Sequence, residues 1–292
     1  MAYHSLLEAI GNTPTVEIRS LNPVPGTNIY AKLEFFNPTG SLKDRIVRFM
    51  VERAEERGEL RPGMTVVEAT SGNTGIALAS VAAHRGYRAL LVMPEDMSAE
   101  RRRIMQALGA EVVLTPAAEG SDGAIARADE IAQTADHYLL GQFVNQDNVL
   151  AHYQTTAREV LEQVPDLDTF VAGMGTGGTV TGVARRLKET SAAIKVVAIE
   201  LPPGSRIQGL KCFQDYVPPI VDFSLVDERV SIDDEDAFRA ARELARKEGL
   251  FVGMSSGAVM HVMVQQVVAG RRCVVGVFGD GGSKYLSTEL FL

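Results

Sequence analysis

The sequence predicts an α/β chain made of two open α/β domains, each with parallel strands that alternate with helices. Short β-branched runs recur along the chain, and a turn and a helix-like segment follow each of them. This alternation is typical of parallel sheets covered by helices. The chain has 292 residues, of which 46% are hydrophobic. That is enough for two cores at about 100 to 200 residues per domain.

The strands and helices follow one another in a regular order. In the first half we predict strands at 64–68, 89–93 and 111–114, and helices at 44–57, 74–85, 98–108 and 122–134. In the second half we predict strands at 169–172, 196–199 and 273–278, and helices at 179–189 and 233–248. Ligands of such sheets bind at the carboxyl ends of the strands. The turns after Glu68, Ala172 and Val252 are therefore the predicted sites.

Composition and charge exclude several classes of protein. The net charge is −8, from 37 acidic and 29 basic residues, and it offers no electrostatic footprint for nucleic acid. The apolar runs are shorter than a membrane span, and the N-terminus lacks a signal pattern, so we expect a soluble cytoplasmic protein. Cys212 and Cys273 have no metal-ligand spacing and the five histidines are scattered. We therefore expect reduced thiols and no metal site.

One lysine stands in a position suited to chemistry. Lys43 lies in the run 37–45, Asn-Pro-Thr-Gly-Ser-Leu-Lys-Asp-Arg, at the start of a predicted helix. A lysine amine becomes reactive when its surroundings disfavour the cation or when a carbonyl cofactor captures it. The alternative is a solvated charge beside Asp44 and Arg45. The choice depends on whether the rest of the chain supplies a place for a cofactor.

Residues 70–75, Thr-Ser-Gly-Asn-Thr-Gly, form the first turn with chemical content, which we name the hydroxyl turn. It joins a predicted strand to a helix, and its hydroxyl and amide groups can direct N–H donors at an anion such as a carboxylate. An ordinary helix cap is the alternative, but a cap needs one such residue and this turn has four. A ligand-binding loop is favoured.

Residues 175–179, Gly-Thr-Gly-Gly-Thr, form the second turn, which we name the glycine turn. Three glycines at the start of a helix let the backbone surround a phosphate, with two threonine hydroxyls as further donors. The pattern is not that of a nucleoside triphosphate loop. Residues 173–178 fit G-x-G-x-x-G loosely, and Glu200 lies at the distance of a ribose-binding acid, so a dinucleotide stays open as an alternative.

Residues 253–257, Gly-Met-Ser-Ser-Gly, form the third turn, the serine turn. Ser255 or Ser256 stands at a helix start, where capping accounts for one serine. The functional alternative is a hydroxyl directed at a ring nitrogen.

Taken together, these motifs resemble the cysteine synthase family of pyridoxal 5'-phosphate enzymes. Lys43 in its motif, the hydroxyl turn and the glycine turn occur in the family's order and spacing. Further matches are 10–14 (Ile-Gly-Asn-Thr-Pro), 142–143 (Gln-Phe), the serine turn and 285–288 (Tyr-Leu-Ser-Thr). The resemblance covers nearly the whole chain. The family includes O-acetylserine and O-phosphoserine sulfhydrylases and cystathionine β-synthases.

The resemblance implies the fold type II architecture of pyridoxal phosphate enzymes, similar to the tryptophan synthase β subunit. It implies a small mobile domain at 45–146 that carries the substrate-carboxylate loop. It places 1–44 and 147–292 in a large domain that carries the phosphate loop, with the cofactor lysine at the domain junction. It also implies a homodimer, with serine acetyltransferase or a sulfur-carrier protein as possible partners.

The resemblance further assigns roles to individual residues. Lys43 would form the Schiff base with the cofactor and act as the catalytic base. Asn73 would form a hydrogen bond with the 3'-oxygen of the cofactor ring, and Ser255 would face the pyridine nitrogen. The cofactor phosphate would be held by Gly175, Thr176, Gly177, Gly178 and Thr179. The substrate carboxylate would be received by Thr70, Ser71, Thr74 and Gln142.

The implied reaction is a β-replacement that makes L-cysteine from an activated serine and sulfide or a sulfur carrier. Lys211 stands where members that use O-acetylserine typically have a small neutral residue. A cation there would suit the phosphate of O-phosphoserine, which carries about −1.5 to −2 charges. A lysine that merely faces water is equally compatible, so both donors stay open. Arg206 is a weaker candidate for the same contact.

Three alternatives stay open. A cystathionine β-synthase would use homocysteine in place of sulfide. A serine or threonine dehydratase would share the cofactor, but Thr74 and Thr176 depart from that group's pattern. A catalytically silent binding partner of serine acetyltransferase would keep the fold without the chemistry, and the intact Lys43 argues against it.

Overall fold

The structure of the protein is a computed structural model that describes residues 2–214 and 216–292. The chain divides into two compact units. The first unit comprises the residues up to Ile10 together with Lys43–Asn148, and the second comprises Gly11–Leu42 together with Val149–Leu292. The assignment of a mobile small domain to 45–146 stays a prediction.

The first residues belong to the first unit. Ser5 Oγ lies 2.9 Å from His84 Nε2, and the Arg48 guanidinium donates to the carbonyl oxygen of Leu7 over 2.8 Å. These bonds attach the N-terminal segment to two helices of the first unit.

Helices and strands alternate along most of the chain. The strands are β1 (Thr15–Glu17), β2 (Asn28–Leu33), β3 (Thr65–Ala69), β4 (Arg88–Pro94), β5 (Glu111–Thr115), β6 (His137–Leu139), β7 (Thr169–Gly173), β8 (Lys195–Glu200), β9 (Glu228–Ser231) and β10 (Cys273–Phe278). The α-helices are α1 (Lys43–Glu56), α2 (Asn73–Arg85), α3 (Ala99–Ala107), α4 (Gly120–Ala132), α5 (Gln146–Ala151), α6 (Ala157–Gln163), α7 (Gly178–Thr190), α8 (Asp234–Glu243) and α9 (Met254–Val268). Wider π-helical turns at His152–Thr156 and Leu244–Glu248 follow α5 and α8.

The first unit contains a four-stranded parallel sheet in the order β5-β4-β3-β6. Val67, Leu90 and Val92 of this sheet pack against Ala124 and Ala128 of α4. Burial of such apolar surface is the main stabilising term in a core of this kind. All four strands end at the same edge, which is where the hydroxyl turn begins.

The second unit contains a six-stranded sheet in the order β1-β2-β10-β7-β8-β9, in which only β1 is antiparallel to its neighbour. One face packs against α8 and α9, and the other against α6 and α7. Gly276 lies in the central strand β10, and a Cβ there would lie 2.3 Å from the sulfur of Met263. Glycine therefore lets α9 approach the middle of the sheet closely.

The α/β alternation predicted from the sequence is confirmed, and β10 coincides with the predicted strand at 273–278. Strands β1, β2, β6 and β9 were not predicted. Strand β2 shows the reason, because Lys32 interrupts its apolar pattern although the side chain is buried. A tertiary ion pair, which no local pattern reveals, makes this burial possible. Within the described part of the chain, no helix is long and apolar enough to cross a membrane.

A buried polar network surrounds Lys32 in the second unit. Lys32 Nζ lies 2.7 Å from Glu159 Oε2, and it donates to the Thr13 carbonyl over 2.7 Å and to Gln163 over 2.8 Å. Asn12, whose φ is +46°, donates its backbone N–H to the other Glu159 oxygen over 3.0 Å. The network holds the turn at 11–14 against α6. It also gives the buried ammonium group of Lys32 an ion-pair partner and two hydrogen-bond acceptors.

We expect Glu159→Gln to lower the free energy of unfolding by about 3 to 5 kcal/mol, since it leaves the buried Lys32 ammonium without its counter-charge. Glu162→Gln on the same helix is the matched control, because Glu162 pairs with Arg158 at 3.5 Å and its side chain is 65% exposed. Glu162→Gln should change the free energy of unfolding by no more than about 0.5 kcal/mol. Urea denaturation followed by circular dichroism measures both, and equal losses would contradict the importance of the buried pair.

Candidate functional site

Lys43 is the first residue of α1, in agreement with the predicted helix start. The side chain is partly buried, and Asp44 beside it is fully buried. The positive end of a helix dipole disfavours a nearby cation. The position therefore favours use of the Lys43 amine as a base or nucleophile.

The hydroxyl turn leads from β3 into α2, which begins at Asn73. The Thr70 hydroxyl accepts the backbone N–H of Gly72 over 3.2 Å, and this bond holds the turn in shape. A Cβ at Gly75 would lie 2.6 Å from Cε of Met105, so glycine is needed for the packing of α2 against α3. Thr70, Ser71 and Asn73 are partly exposed, with the first N–H groups of α2 close by in sequence. Helix starts leave such groups for an anion.

A buried chain of side-chain hydrogen bonds lies beneath this turn. The Thr74 hydroxyl donates to Gln142 Oε1 over 2.7 Å, and Gln142 Nε2 donates to Glu68 Oε1 over 3.0 Å. The backbone N–H of Gly141 donates to the other Glu68 oxygen over 2.8 Å. Glu68 belongs to β3 and Gln142 follows β6, which is the neighbouring strand. The structure therefore brings Thr74 and Gln142 together, as a common site requires.

Glu68 was missed in the sequence, although a charged residue inside the apolar run of β3 was a usable signal. Burial raises the pKa of this carboxyl to about 7, and the hydrogen bonds from Gln142 and Gly141 and the charge of Lys43 oppose the rise. The folded pKa lies above the ordinary value of 4.5. The contribution of Glu68 to the free energy of unfolding is therefore full below pH 4.5 and is lost as the pH rises through about 7.

The glycine turn in the second unit leads from β7 into α7. Gly177 caps this helix at φ +85°, and a Cβ there would lie 2.2 Å from Val221 Cγ2. A Cβ at Gly175 would lie 2.5 Å from the carbonyl oxygen of Gly209. Both positions require glycine because of these close approaches, and a glycine-rich helix start of this kind suits an anion.

His152 supports the glycine turn from the π-helical turn between α5 and α6. One ring nitrogen lies 3.1 Å from Thr179 Oγ1, and the other lies 2.9 Å from Thr156 Oγ1. The histidine is buried. This role of His152 was not predicted, because it depends on the π-helical turn at His152–Thr156, which local sequence patterns do not indicate.

Ser255 lies in the first turn of α9 and is partly buried. A Cβ at Gly279 would lie 3.8 Å from Ser255 Oγ, so this glycine leaves space beside the hydroxyl. Gly253 lies against Asp280, which also accepts the Tyr285 hydroxyl over 2.7 Å. Tyr285 is fully buried, and it was singled out only as part of a matching motif. Its bond helps to fix the backbone from which Ser255 projects.

Lys211 lies beside the entrance to the glycine turn. Its backbone N–H donates to the carbonyl of Met174 over 2.9 Å, and its own carbonyl accepts the N–H of Leu201 over 3.0 Å. The Lys211 side chain is partly buried. Arg206 differs, because its guanidinium binds Asp234, Glu235 and Glu289 at the surface. These three carboxylates balance its charge, which makes it a poor candidate for binding substrate.

Most of the chain matches a known family. A family model described as pyridoxal-phosphate dependent enzyme matches residues 6–279. The chain belongs to that family. Cysteine synthase B of Escherichia coli (strain K12) is 44% identical over 290 residues, with 98% of this chain and 96% of the relative covered. A cysteine synthase relationship is therefore established over nearly the full length.

Solved structures agree with this assignment. O-ureido-L-serine synthase is similar with a TM-score of 0.96 and 40% identity, and the match covers 100% of this chain and 96% of the other. O-acetyl serine sulfhydrylase isoform 3 from Entamoeba histolytica is similar with a TM-score of 0.93 and 38% identity, covering 100% and 92% of the two chains. The enzyme therefore has the fold type II architecture of pyridoxal phosphate enzymes, as the sequence predicted.

The residues of the enzyme fit its cofactor. Phosphate needs N–H and hydroxyl donors at close range. The glycine turn offers both at a helix start, and no side chain can replace Gly175 or Gly177 without a clash. Ser255 supplies a hydroxyl suited to a ring nitrogen, and Lys43 supplies an amine suited to an aldehyde. The described part of the chain brings together no group of three or more His, Cys, Asp or Glu side chains that could hold a metal ion.

We expect Gly177→Ala to weaken pyridoxal phosphate binding roughly tenfold or more, because the added Cβ must displace either Val221 or the turn itself. Gly204→Ala is the matched control. Gly204 also has a positive φ, +80°, but a Cβ there has no neighbour within 4 Å. Titration of the apoprotein with cofactor, followed by visible absorption, measures both affinities. Equal weakening in the two variants would show that backbone strain, and not the clash at the glycine turn, is responsible.

Proposed function

We propose that this enzyme is a cysteine synthase that makes L-cysteine from an activated serine and sulfide or a sulfur carrier. The observation that carries the proposal is the hydroxyl turn at the start of α2 with Gln142 directly beside it, because hydroxyl, amide and helix-start N–H groups of this kind bind the carboxylate of an amino acid. O-acetylserine is the first candidate donor, since one of the similar structures is named for that substrate.

The substrate carboxylate is received by the hydroxyl turn together with Gln142. Thr70, Ser71 and Thr74 supply hydroxyl groups, and the start of α2 supplies N–H donors with a favourable dipole. Several short bonds to both oxygens fix the direction of the amino acid. Binding at this turn therefore decides which bond of the substrate points at the reacting centre.

Residues from three turns would hold the cofactor. The glycine turn, Gly175 to Thr179, would hold the phosphate, Asn73 and Ser255 would form hydrogen bonds to the ring, and the Lys43 amine would bond to the aldehyde carbon. When bound, pyridoxal phosphate supplies an electron sink that stabilises negative charge at the α-carbon of an amino acid. Ser255 would offer the ring nitrogen a neutral hydroxyl in place of a carboxylate, which would favour loss of a β-substituent over transamination.

Lys43 moves the proton in this reaction. Lys43 Nζ would accept the proton from the α-carbon of a bound amino acid and later return it. The β-substituent leaves with its electron pair, and sulfide then forms the new bond at the β-carbon. One amine thus acts first as a base and then as an acid.

We expect Lys43→Ala to lower cysteine formation from O-acetylserine and sulfide roughly 100- to 10,000-fold, the usual range for loss of an acid–base group. Lys247→Ala is the control, because Lys247 is an exposed lysine that pairs with Glu243 at 3.2 Å. A colorimetric cysteine assay at saturating substrate measures both. Turnover of Lys43→Ala near the wild-type rate would refute the assignment, and an inactive wild-type protein with bound cofactor would support the silent binding protein.

O-phosphoserine is the second candidate donor, and Lys211 is the observation that favours it. The backbone bonds of this residue hold it next to Met174, directly before the glycine turn. The leaving phosphate of O-phosphoserine carries about −1.5 to −2 charges, which a lysine can offset. An acetyl ester offers no such charge.

We expect Lys211→Ala to lower kcat/KM for O-phosphoserine roughly 10- to 100-fold more than for O-acetylserine, because a hydrogen bond to a charged group is worth about 1.5 to 3 kcal/mol. Lys211→Arg keeps the cation and should retain most of the phosphoserine activity. Initial rates with each donor at fixed sulfide measure the ratio. The phosphate contact is wrong if alanine affects both donors equally.

We also propose that the enzyme acts in the cytoplasm as a homodimer, with serine acetyltransferase or a sulfur-carrier protein as a possible partner. The thiols of Cys212 and Cys273 are free, which suits a reducing compartment. Burial raises the pKa of the Cys273 thiol to about 11, so this cysteine is poorly reactive. The mass of the purified enzyme in solution, measured by light scattering, tests the dimer.

A further inference from the structure

We propose that Glu68 is a positioning residue for substrate, and that the enzyme takes up a proton on this side chain when the substrate carboxylate binds. The inference rests on the proposed function, because it concerns the carboxylate site formed by the hydroxyl turn and Gln142. It names a residue that does not touch the substrate but decides how Gln142 and Thr74 present their hydrogens.

The geometry shows Glu68 in the arrangement of an ionised carboxylate. Three hydrogen bonds are donated to it by the protein: from Gln142 Nε2 over 3.0 Å, from Gly141 N over 2.8 Å and from Gln142 N over 3.4 Å. Glu68 is only 2% exposed, so water screens this charge weakly. The Gln142 amide group is therefore turned toward Glu68, and its oxygen is turned toward Thr74.

In this arrangement the site is poorly prepared for a second carboxylate. The single hydroxyl hydrogen of Thr74 is used by Gln142 Oε1, over 2.7 Å. A threonine hydroxyl has one hydrogen to donate, so Thr74 can offer a substrate oxygen only lone pairs. The buried negative charge of Glu68 also lies one side chain away, and like charges in a buried site repel strongly.

Protonation of Glu68 reverses the direction of the hydrogen bonds. A protonated carboxyl can donate to Gln142 Oε1 once the side-chain amide turns over, and it can still accept the N–H of Gly141 through its other oxygen. Gln142 Nε2 then donates to Thr74 Oγ1, which frees the threonine hydrogen for the substrate. The proton comes from the solvent buffer, and no covalent bond between heavy atoms changes.

The surroundings of Glu68 make this change accessible near neutral pH. Leu91 of β4 is its register neighbour and is fully buried. Gly141 and Gln142 face it from the end of β6. Lys43 of α1 is the charged group with the largest influence on it, and this positive charge favours the ionised form. Burial opposes that influence and brings the pKa to about 7.

The experiment compares two ligands that differ by the carboxylate. L-serine carries it, and ethanolamine has the same amine and hydroxyl without it. Binding of each to the cofactor-loaded enzyme is followed by visible absorption between about pH 6 and pH 9. We expect the serine affinity, divided by the ethanolamine affinity, to fall up to about tenfold per pH unit above about pH 7. Titration of the ligand amine and of the cofactor affects both affinities in the same way, so their ratio isolates the effect of the carboxylate.

The variant Glu68→Gln tests the residue directly, because its amide can donate to Gln142 Oε1 as a protonated carboxyl would. We expect its affinity ratio to be independent of pH and close to the low-pH value of the wild type. Glu111→Gln is the matched control, since Glu111 is an exposed glutamate on β5 of the same sheet. It should keep the wild-type pH dependence.

The outcomes separate the inference from the proposed function. A wild-type affinity ratio that does not change with pH overturns the inference, whether or not Glu68→Gln folds. A pH-dependent ratio that persists unchanged in folded Glu68→Gln overturns it as well. If serine causes no absorption change at any pH although the cofactor is bound, the proposed function itself fails. Loss of the pH dependence in Glu68→Gln alone supports the inference.

Discussion

The parallel alignment of the strands is the constraint on which the rest of the structure depends. In each unit the parallel strands end at one edge of the sheet, and in the second unit the antiparallel edge strand β1 is the exception. In the first unit the hydroxyl turn follows β3, and Gln142 follows the neighbouring strand β6. In the second unit the glycine turn follows β7, and Gly279 follows its neighbour β10. Residues far apart in sequence meet because neighbouring parallel strands end side by side. Each of these turns is therefore placed correctly only when the strands pair in the correct register.

The sequence predicts this edge well, since local composition determines turns and helix starts. Lys43, the hydroxyl turn and the glycine turn each combine a short motif with a helix that begins at once. Residues that act through tertiary contacts could not be predicted in the same way. Lys32 interrupts the apolar pattern of β2, and only its ion pair with Glu159 at 2.7 Å explains why a lysine is buried there. His152 depends on a π-helical turn, which local patterns do not indicate. Glu68 is intermediate, because its place in an apolar strand was visible but its partners were not.

Two buried ionisable groups in this chain illustrate different solutions to the cost of removing charge from water. Lys32 is compensated by a carboxylate and by two further oxygens, so its charge is retained in a closed network. Glu68 is bound by N–H donors, and burial raises its pKa to about 7. The first arrangement suits a permanent structural support. The second leaves two protonation states close in free energy, which is the condition for a group that responds to ligand.

The packing of the second unit also connects the cofactor site with the choice of donor. Gly175 lies so close to the carbonyl oxygen of Gly209 that a Cβ would approach it to 2.5 Å. Two residues later, the Lys211 N–H bonds to the carbonyl of Met174. The segment that carries Lys211 therefore packs against, and hydrogen-bonds to, the backbone at the start of the glycine turn. A change in the shape of this turn must move Lys211 as well, because protein interiors are close-packed and transmit such shifts. Under the proposed function, donor preference and phosphate binding therefore depend on the same segment of backbone, and side-chain substitutions at 211 can alter charge while the backbone bonds keep the position.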